Sequence, residues 1–282
     1  TLEERLYSWV AELPWARHDS ILACLVDRAA TEMVEGLMGL YRARQGPAVV
    51  PGRAAVVLAP PAAAVLLHEA VAHALETDTL ALGGRPEAAV GVRVGPPTLG
   101  VLDDPSALPA AIRRTVDDEG MPVVRRWLVR EGAVEQPLAD RFAAASSSRL
   151  TPGAGRRGSR HQPPVPRSSH LELLPGEASL EGLLSEAQGG LYVPLAARGR
   201  LDPLRGNFSL DLPFARRVRD GAPTDFVAPF RLTGRVAELL DAVRGIGTEA
   251  SFAGAGWCAK AGQRLPVWAT VPALLLDGVS VS

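Results

Sequence analysis

Cysteine, lysine and long apolar runs are all scarce in this chain, and each shortage removes a class of protein. Its 282 residues include only two cysteines, Cys24 and Cys258. A pair so widely separated makes no disulfide framework, so a reducing compartment is the default. No apolar stretch reaches the ~18 residues of a membrane-spanning helix, and the N-terminal stretch lacks a basic-then-apolar leader pattern. The chain therefore reads as cytoplasmic, without a membrane partner. Net charge is missing as well: 30 basic side chains stand against 31 acidic ones, for a formal charge of −1. The arginine clusters are short, and the balance leaves no electrostatic footprint for nucleic acid. With 47% hydrophobic and 22% charged residues, the composition is that of a globular protein able to bury a substantial core.

The lysine shortage is informative by its one exception. Every cationic side chain is arginine except Lys260, which lies two residues from Cys258 in Gly256-Trp257-Cys258-Ala259-Lys260-Ala261-Gly262-Gln263. This stretch reads as a glycine-rich turn leading into the apolar run Leu265-Pro266-Val267. A chain so biased to arginine that keeps one ammonium beside its loop cysteine points to a need for it there; the plainer alternative is a bias that missed one codon. Cys24, in an apolar helical pattern, reads as a small core residue.

The richest stretch present is His68-Glu69-Ala70-Val71-Ala72-His73. Imidazoles suit zinc or iron, and a carboxylate beside such a metal can take a proton from water. The spacing is unusual. Residues i and i+5 lie ~140° apart around a regular α-helix, too far to share one ion, so both rings converge only if the helix carries a π-type bulge or unwinds before His73. Two histidines on a mostly buried Ala/Leu/Val helix are the alternative reading. Cys258 supplies the third donor that a metal site needs, and two histidines plus a thiolate leave one position open for water or substrate.

With both stretches in view, the chain resembles the TldD/PmbA family of metallopeptidases, in its metal-bearing TldD-like branch. His68 to Asp78 is similar to the family's HExxxH segment with trailing acidic residues, and Cys258 to Val267 to its cysteine motif. Asp117-Asp118-Glu119-Gly120, Gly155-Arg156-Arg157, Pro166-Arg167, Leu174-Pro175-Gly176, Gly189-Gly190 and Gly206-Asn207-Phe208-Ser209 follow in the family's order. The resemblance covers roughly residues 20 to 282. It implies one divalent metal, zinc or alternatively iron, on His68, His73 and Cys258, with Glu69 as general base. It also implies extended, unfolded or precursor peptides as substrates and a metal-free TldE/PmbA-like homologue as partner.

The departures bear on substrate more than on metal. The family usually has glycine where this chain has Ala72, Ala74 and Ala259, and small residues where it has Trp257 and Trp268. Two indoles near the cysteine could narrow or reshape a peptide groove, which keeps open an amidase acting on a small biosynthetic intermediate. A non-catalytic subunit is a further alternative, opposed by the retained His68, Glu69, His73 and Cys258. The family usually carries a substantial region ahead of its catalytic part, whereas here about fifty residues precede the first strand and the first residue is Thr1. Residues 1–50 are accordingly expected to be a helical remnant of a longer N-terminal region, and 51–282 the catalytic domain.

Periodicity fills in the rest. Leu22, Leu25, Val26, Ala29, Met33, Val34, Leu37 and Tyr41 fall on one face of a helix over 21–44, stopped by Gly46-Pro47. Arg53 to Leu58 reads as a strand. Pro60-Pro61 opens the metal helix, which runs to about Thr77, before Gly83-Gly84. Beyond it, Thr98 to Leu102, Val123 to Val129, Leu191 to Leu195, Phe208 to Leu212 and Pro272 to Val281 are strand candidates. Leu180 to Ala187 and Gly234 to Val243 read as helices. The Ser/Gly/Arg/Pro-rich stretch 145–169 is expected to be a long loop, mobile unless substrate or a partner orders it. The fold class is α+β, a large, mostly antiparallel sheet with the metal helix packed on it.

Further assignments follow for single residues. Glu76 and Asp78 could fix the tautomer of a ligating imidazole or end the helix in solvent. Gly189, Gly190 and Gly256 could let a substrate backbone approach strand edges. Arg156, Arg157 and Arg167 could meet substrate, with surface arginine the plainer reading. His161 and His170 lack ligand spacing, and Asp117-Asp118-Glu119 is explained by a β-turn.

Overall fold

The computed structural model describes residues 34–82, 89–109 and 112–282. Most of the apolar stripe expected on the first helix, together with Cys24 and the Gly83-Gly84 pair, lies outside them. Two sheets and a helix between them form the framework. Among the described residues, nine strands make the larger sheet. Eight run in the order Ala222–Val227, Ala215–Arg219, Leu191–Val193, Gly52–Leu58, Leu274–Val281, Phe230–Arg235, Asn207–Leu212 and Arg198–Leu201, and Val243–Ile246 also pairs with Leu274–Val281. The smaller sheet orders Ser251–Lys260, Gln263–Val271, His170–Leu173, Val101–Asp103, Arg126–Arg130 and Ala133–Val134. Pairing is antiparallel except where Leu191–Val193 meets Gly52–Leu58 and His170–Leu173 meets Gln263–Val271. The mostly antiparallel α+β expectation therefore holds.

The central strand Gly52–Leu58 shows how the layers arise. Val56 and Leu58 are buried in the main core, while Val57, between them, joins Leu183, Leu184, Val218 and Leu275 in a smaller cluster on the other face. A strand alternates its side chains, so an unbroken Val-Val-Leu run requires cover on both faces. The helix Leu180–Glu186, capped by the Ser179 hydroxyl accepting from Gly182 N–H at 3.1 Å, helps cover the second face. On the first face lies Pro60–Leu67, with prolines at its start and Ala62, Ala63, Ala64, Leu66 and Leu67 buried. A helix apolar on all sides must be enclosed. This one touches Gly52–Leu58 and Arg198–Leu201 of the large sheet and the hairpin Ser251–Lys260/Gln263–Val271 of the small one. Its alanines allow that close sandwich.

Three expectations need correction. The described part of the first helix spans 34–43, and the members of the expected stripe that fall within it are not buried. Val34 and Tyr41 are 54% and 64% exposed, and Leu37 and Met38 are exposed with them. The helix instead turns Gly36, Gly39 and Ala43 inward; a Cβ on Gly39 would lie 2.4 Å from the Phe214 ring. Close approach to a bulky ring favoured the small residues over the apolar ones. The stretch 145–169 is not all loop: Gly155–Arg156 pairs with Val165–Pro166, and Arg156, Arg167, Ser168 and Ser169 are buried. Finally, Cys258 lies on a strand rather than in a turn. The turn is the next pair, Ala261 and Gly262, at φ 51° and 71°, the left-handed geometry of a tight hairpin.

Candidate metal centre

The helix that enters the core as Pro60–Leu67 changes its winding at the first histidine. His68–Ala72 forms a π-turn whose next residue, His73, donates its N–H to the His68 carbonyl. The i→i+5 bond brings His73 back over His68, which a regular helix cannot do at this spacing. The ring centroids are 4.5 Å apart. His73–Leu75 tightens to a 3₁₀ turn and Glu76 leaves the helix in extended conformation. The bulge expected from the spacing is present.

Cys258 reaches the two rings from the hairpin. Its Sγ lies 3.0 Å from His73 Nε2. Among the described residues, donor atoms of His68, His73 and Cys258 all fall within 4.8 Å of one another. The outer ring nitrogens have partners of their own: His73 Nδ1 is 2.6 Å from Glu76 Oε2, and His68 Nδ1 is 3.4 Å from Ser168 Oγ. His68 Nε2 is buried with no hydrogen-bond partner. A buried imidazole nitrogen left bare beside a thiol and a second imidazole fits a borderline-soft ion such as zinc.

Electrostatics favour the same donor set. Burial pushes the Cys258 thiol up, but the charge of His68 and the hydrogen bond and charge of His73 outweigh it and bring it down to about 5. Burial likewise dominates at Glu69, raising its carboxyl above the ordinary value, with His68 and His73 opposing. Glu76 is fully buried, yet the His73 and Lys260 partners overcome its desolvation and hold it at about 2. Lys260 Nζ donates to Glu76 Oε2 at 2.7 Å, to Asp78 Oδ1 at 2.6 Å and to the Pro166 carbonyl at 3.2 Å. The sole lysine thus joins Glu76 and Asp78 on the outer side of His73. A planar guanidinium would not match these three separated acceptors as a compact ammonium does.

Lowering the Glu76 pKa from 4.5 to about 2 has a sign that can be tested. Such a carboxylate adds stability in full above its unfolded pKa and loses it as pH falls through its folded one. A shift of this size is worth on the order of 3 kcal/mol. Glu76→Gln in metal-free protein is therefore expected to lose stability at neutral pH and to flatten the acid limb of the stability curve. Urea melts at several pH values check this; an unchanged acid limb would show that the dependence originates elsewhere.

Gly199 has a role that its sequence context does not announce. This residue sits on the edge strand Arg198–Leu201 of the large sheet, and a Cβ there would lie 2.3 Å from Glu69 Cγ and 2.9 Å from Oε1. Glycine inside a strand often marks a close approach, but Arg-Gly-Arg carries no apolar alternation, so the strand itself was not legible. Gly199→Ala is expected to push the Glu69 side chain aside, because a Cβ at that distance cannot coexist with it. A crystal structure of the variant checks this, and an unmoved Glu69 carboxylate would contradict it.

Other expected residues sit elsewhere. Gly189 and Gly190 seat the strand Leu191–Val193: Gly189 N–H bonds the Val218 carbonyl, and a Cβ on Gly190 would collide with the Ala55 carbonyl at 2.2 Å. Arg157 is partly buried and its N–H donates to Asp118. Arg156 and Arg167, whose plainer reading was surface arginine, are each 1% exposed. Trp257 is 45% exposed and alternates with buried Cys258, so its indole lies on the opposite face of the strand from the thiol. Its face also holds the Arg264 guanidinium, 5.6 Å above the ring. Half-buried Trp268 stands opposite Gly254 and beside His170. His170 is buried, with Nε2 2.9 Å from Thr270 Oγ1, and His161 is exposed. Asp117 accepts from Glu119 and Met121 N–H within its turn and from Gly155 N–H across it.

A bulged helix enclosed between two sheets, carrying two histidines and a glutamate against a strand cysteine, defines an α+β domain with a candidate metal centre. The model of the PmbA/TldA metallopeptidase C-terminal domain matches residues 51–282, and the chain belongs to the TldD/PmbA family. A protein of Haemophilus influenzae named metalloprotease TldD homolog is 30% identical over 223 residues, covering 77% of this chain and 45% of that one. An Archaeoglobus fulgidus metalloprotease is 30% identical over 243 residues, 86% of this chain and 55% of its own. A relative from Saccharolobus solfataricus, 25% identical over 217 residues and matching 77% and 48% of the two chains, is named zinc metalloprotease TldD homolog. TldE from Thermococcus kodakarensis shares the fold, with a TM-score of 0.71 at 21% identity over 92% of this chain and 55% of that one. The chain spans about half the length of the curated relatives it matches. Among the described residues no helix is long and apolar enough to cross a membrane.

Proposed function

We propose that this chain is a metal-dependent hydrolase that cleaves peptide bonds in extended or unfolded polypeptides. The observation that carries the reading is the convergence of His68, His73 and Cys258 on one point, with Glu69 inside the same π-turn. His68, His73 and Cys258 would hold the ion, which the donor set and one relative's name favour as zinc. Bound there, the ion supplies Lewis acidity toward a carbonyl and lowers the pKa of water. Glu69 takes a proton from the attacking water and passes it to the leaving amine; a carboxyl raised by burial is suited to do both. Glu76 orients His73 through Nδ1, with Lys260 and Asp78 completing the chain of charges behind it.

An extended substrate suits the surroundings. The edge strand Arg198–Leu201 meets Glu69 through Gly199, and Ser251–Lys260, which carries Cys258, ends the other sheet. Edges can pair with a peptide backbone irrespective of its side chains. We assign a TldE-like homologue as partner, as the family resemblance implies, and 51–282 as the catalytic unit; TldE shares the fold. The small-amide alternative rested on Trp257 and Trp268; the Trp257 indole faces away from the thiol, which favours the peptide reading. The test is digestion of an unfolded protein by the zinc-loaded chain, with and without a co-expressed TldE-like homologue. Chelator-sensitive cleavage in either sample is expected. Cleavage of small amides alone would favour the amidase, and no hydrolysis of either substrate would overturn the proposal.

A further inference from the structure

Arg167 lies where a charge is costly to place. It is 1% exposed, and its hydrogen bonds go to backbone carbonyls: Nη2 to Cys258 at 2.7 Å and Nη1 to Lys260 at 3.4 Å. Its own N–H bonds the Ala154 carbonyl at 2.9 Å. Arg156, equally buried, donates to the Ser168 carbonyl and to Pro266 O at 2.8 Å, on the strand paired with the cysteine strand. Neighbours of Arg167 reach the other sides of the centre: the Pro166 carbonyl accepts from Lys260, and Ser168 Oγ stands 3.4 Å from His68 Nδ1. Buried charge is usually matched by charge. Here the fork instead spans two carbonyls of one strand, at the ligand cysteine and two residues on. A guanidinium is the side chain whose rigid donors fix two acceptors at once.

We propose that Arg167 is a positioning residue of the metal centre, locking the Cys258 backbone so that its Sγ stays within coordination distance of His68 and His73. This rests on the metal reading given above. A ligand loosened by even a fraction of an ångström costs affinity. Arg126 provides the control. It is buried to a similar degree and caps carbonyls of the same stretch, Thr151 at 2.9 Å and Pro152 at 3.0 Å, well before the residues that touch the cysteine strand.

The experiment measures zinc affinity by chelator competition, and the thiolate-to-metal charge-transfer band after cobalt substitution, in the 282-residue chain and in Arg167→Met, Arg167→Lys and Arg126→Met. Arg167→Met is expected to weaken zinc binding ~10–100-fold, as loss of an outer partner typically does, and to lower the band per bound cobalt. Arg167→Lys, which keeps the charge but gathers its donors on a single nitrogen, is expected to fall between it and wild type and remains informative if the methionine variant does not fold. Arg126→Met is expected to melt earlier with affinity and band unchanged. Wild-type affinity and band in both Arg167 variants would overturn the proposal, as would an equal loss in Arg126→Met. Failure of the wild-type chain to bind zinc would overturn the metal reading itself, a distinguishable result.

Discussion

Cys258→Ala is expected to strip the metal from this protein. In the metal centre we propose, the thiolate is one of three donors and the only one from outside the bulged helix, so its loss would leave two imidazoles 4.5 Å apart with no third anchor. The affinity lost should exceed the ~10–100-fold that removal of a mere outer partner costs, and the purified variant should carry far less than one equivalent. The fold should survive, since alanine fills a small buried site between Leu265 and the helix. Stoichiometric metal in a folded Cys258→Ala protein would show that the third donor is another group.

Glu69→Gln should do the opposite, keeping the metal and losing the reaction. The amide preserves the volume that Gly199 accommodates but cannot accept a proton from water. General acid–base groups contribute on the order of 10²–10⁴ in rate, and turnover should fall within or beyond that range. Because burial raises the Glu69 carboxyl, the replacement also removes an unfavourable buried charge, so thermal stability should hold or rise. Wild-type turnover would place the base elsewhere.

These two positions were legible because their chemistry is local. A glutamate beside a histidine, and a cysteine near a lone lysine, stand out in any register, and the i+5 spacing lets both rings meet only through a π-bulge or an unwound turn, of which His68–Ala72 forms the first. Strands with apolar runs, such as Gly52–Leu58 and Leu274–Val281, were also readable. What escaped depended on contacts distant in sequence. Arg198–Leu201 and Ala215–Arg219 are rich in arginine and are held as strands by their neighbours, so Gly199 gave no signal that it faces Glu69. Arg156 and Arg167 looked like surface residues because arginine is seldom fully buried. Only the fold shows that they satisfy carbonyls across the cysteine hairpin. Val34, Leu37 and Tyr41 kept a helical period but lost the buried face to Gly36, Gly39 and Ala43, since shape against Phe214 outweighed hydropathy.

The central claim is that two imidazoles and one thiolate share a single ion. X-ray absorption at the zinc edge of the purified, zinc-loaded chain tests it directly. The account predicts about one zinc per chain, with one sulfur at ~2.3 Å and two imidazole nitrogens at ~2.0–2.1 Å, plus one lighter oxygen or nitrogen donor. A first shell without sulfur, or zinc far below one per chain, would contradict it.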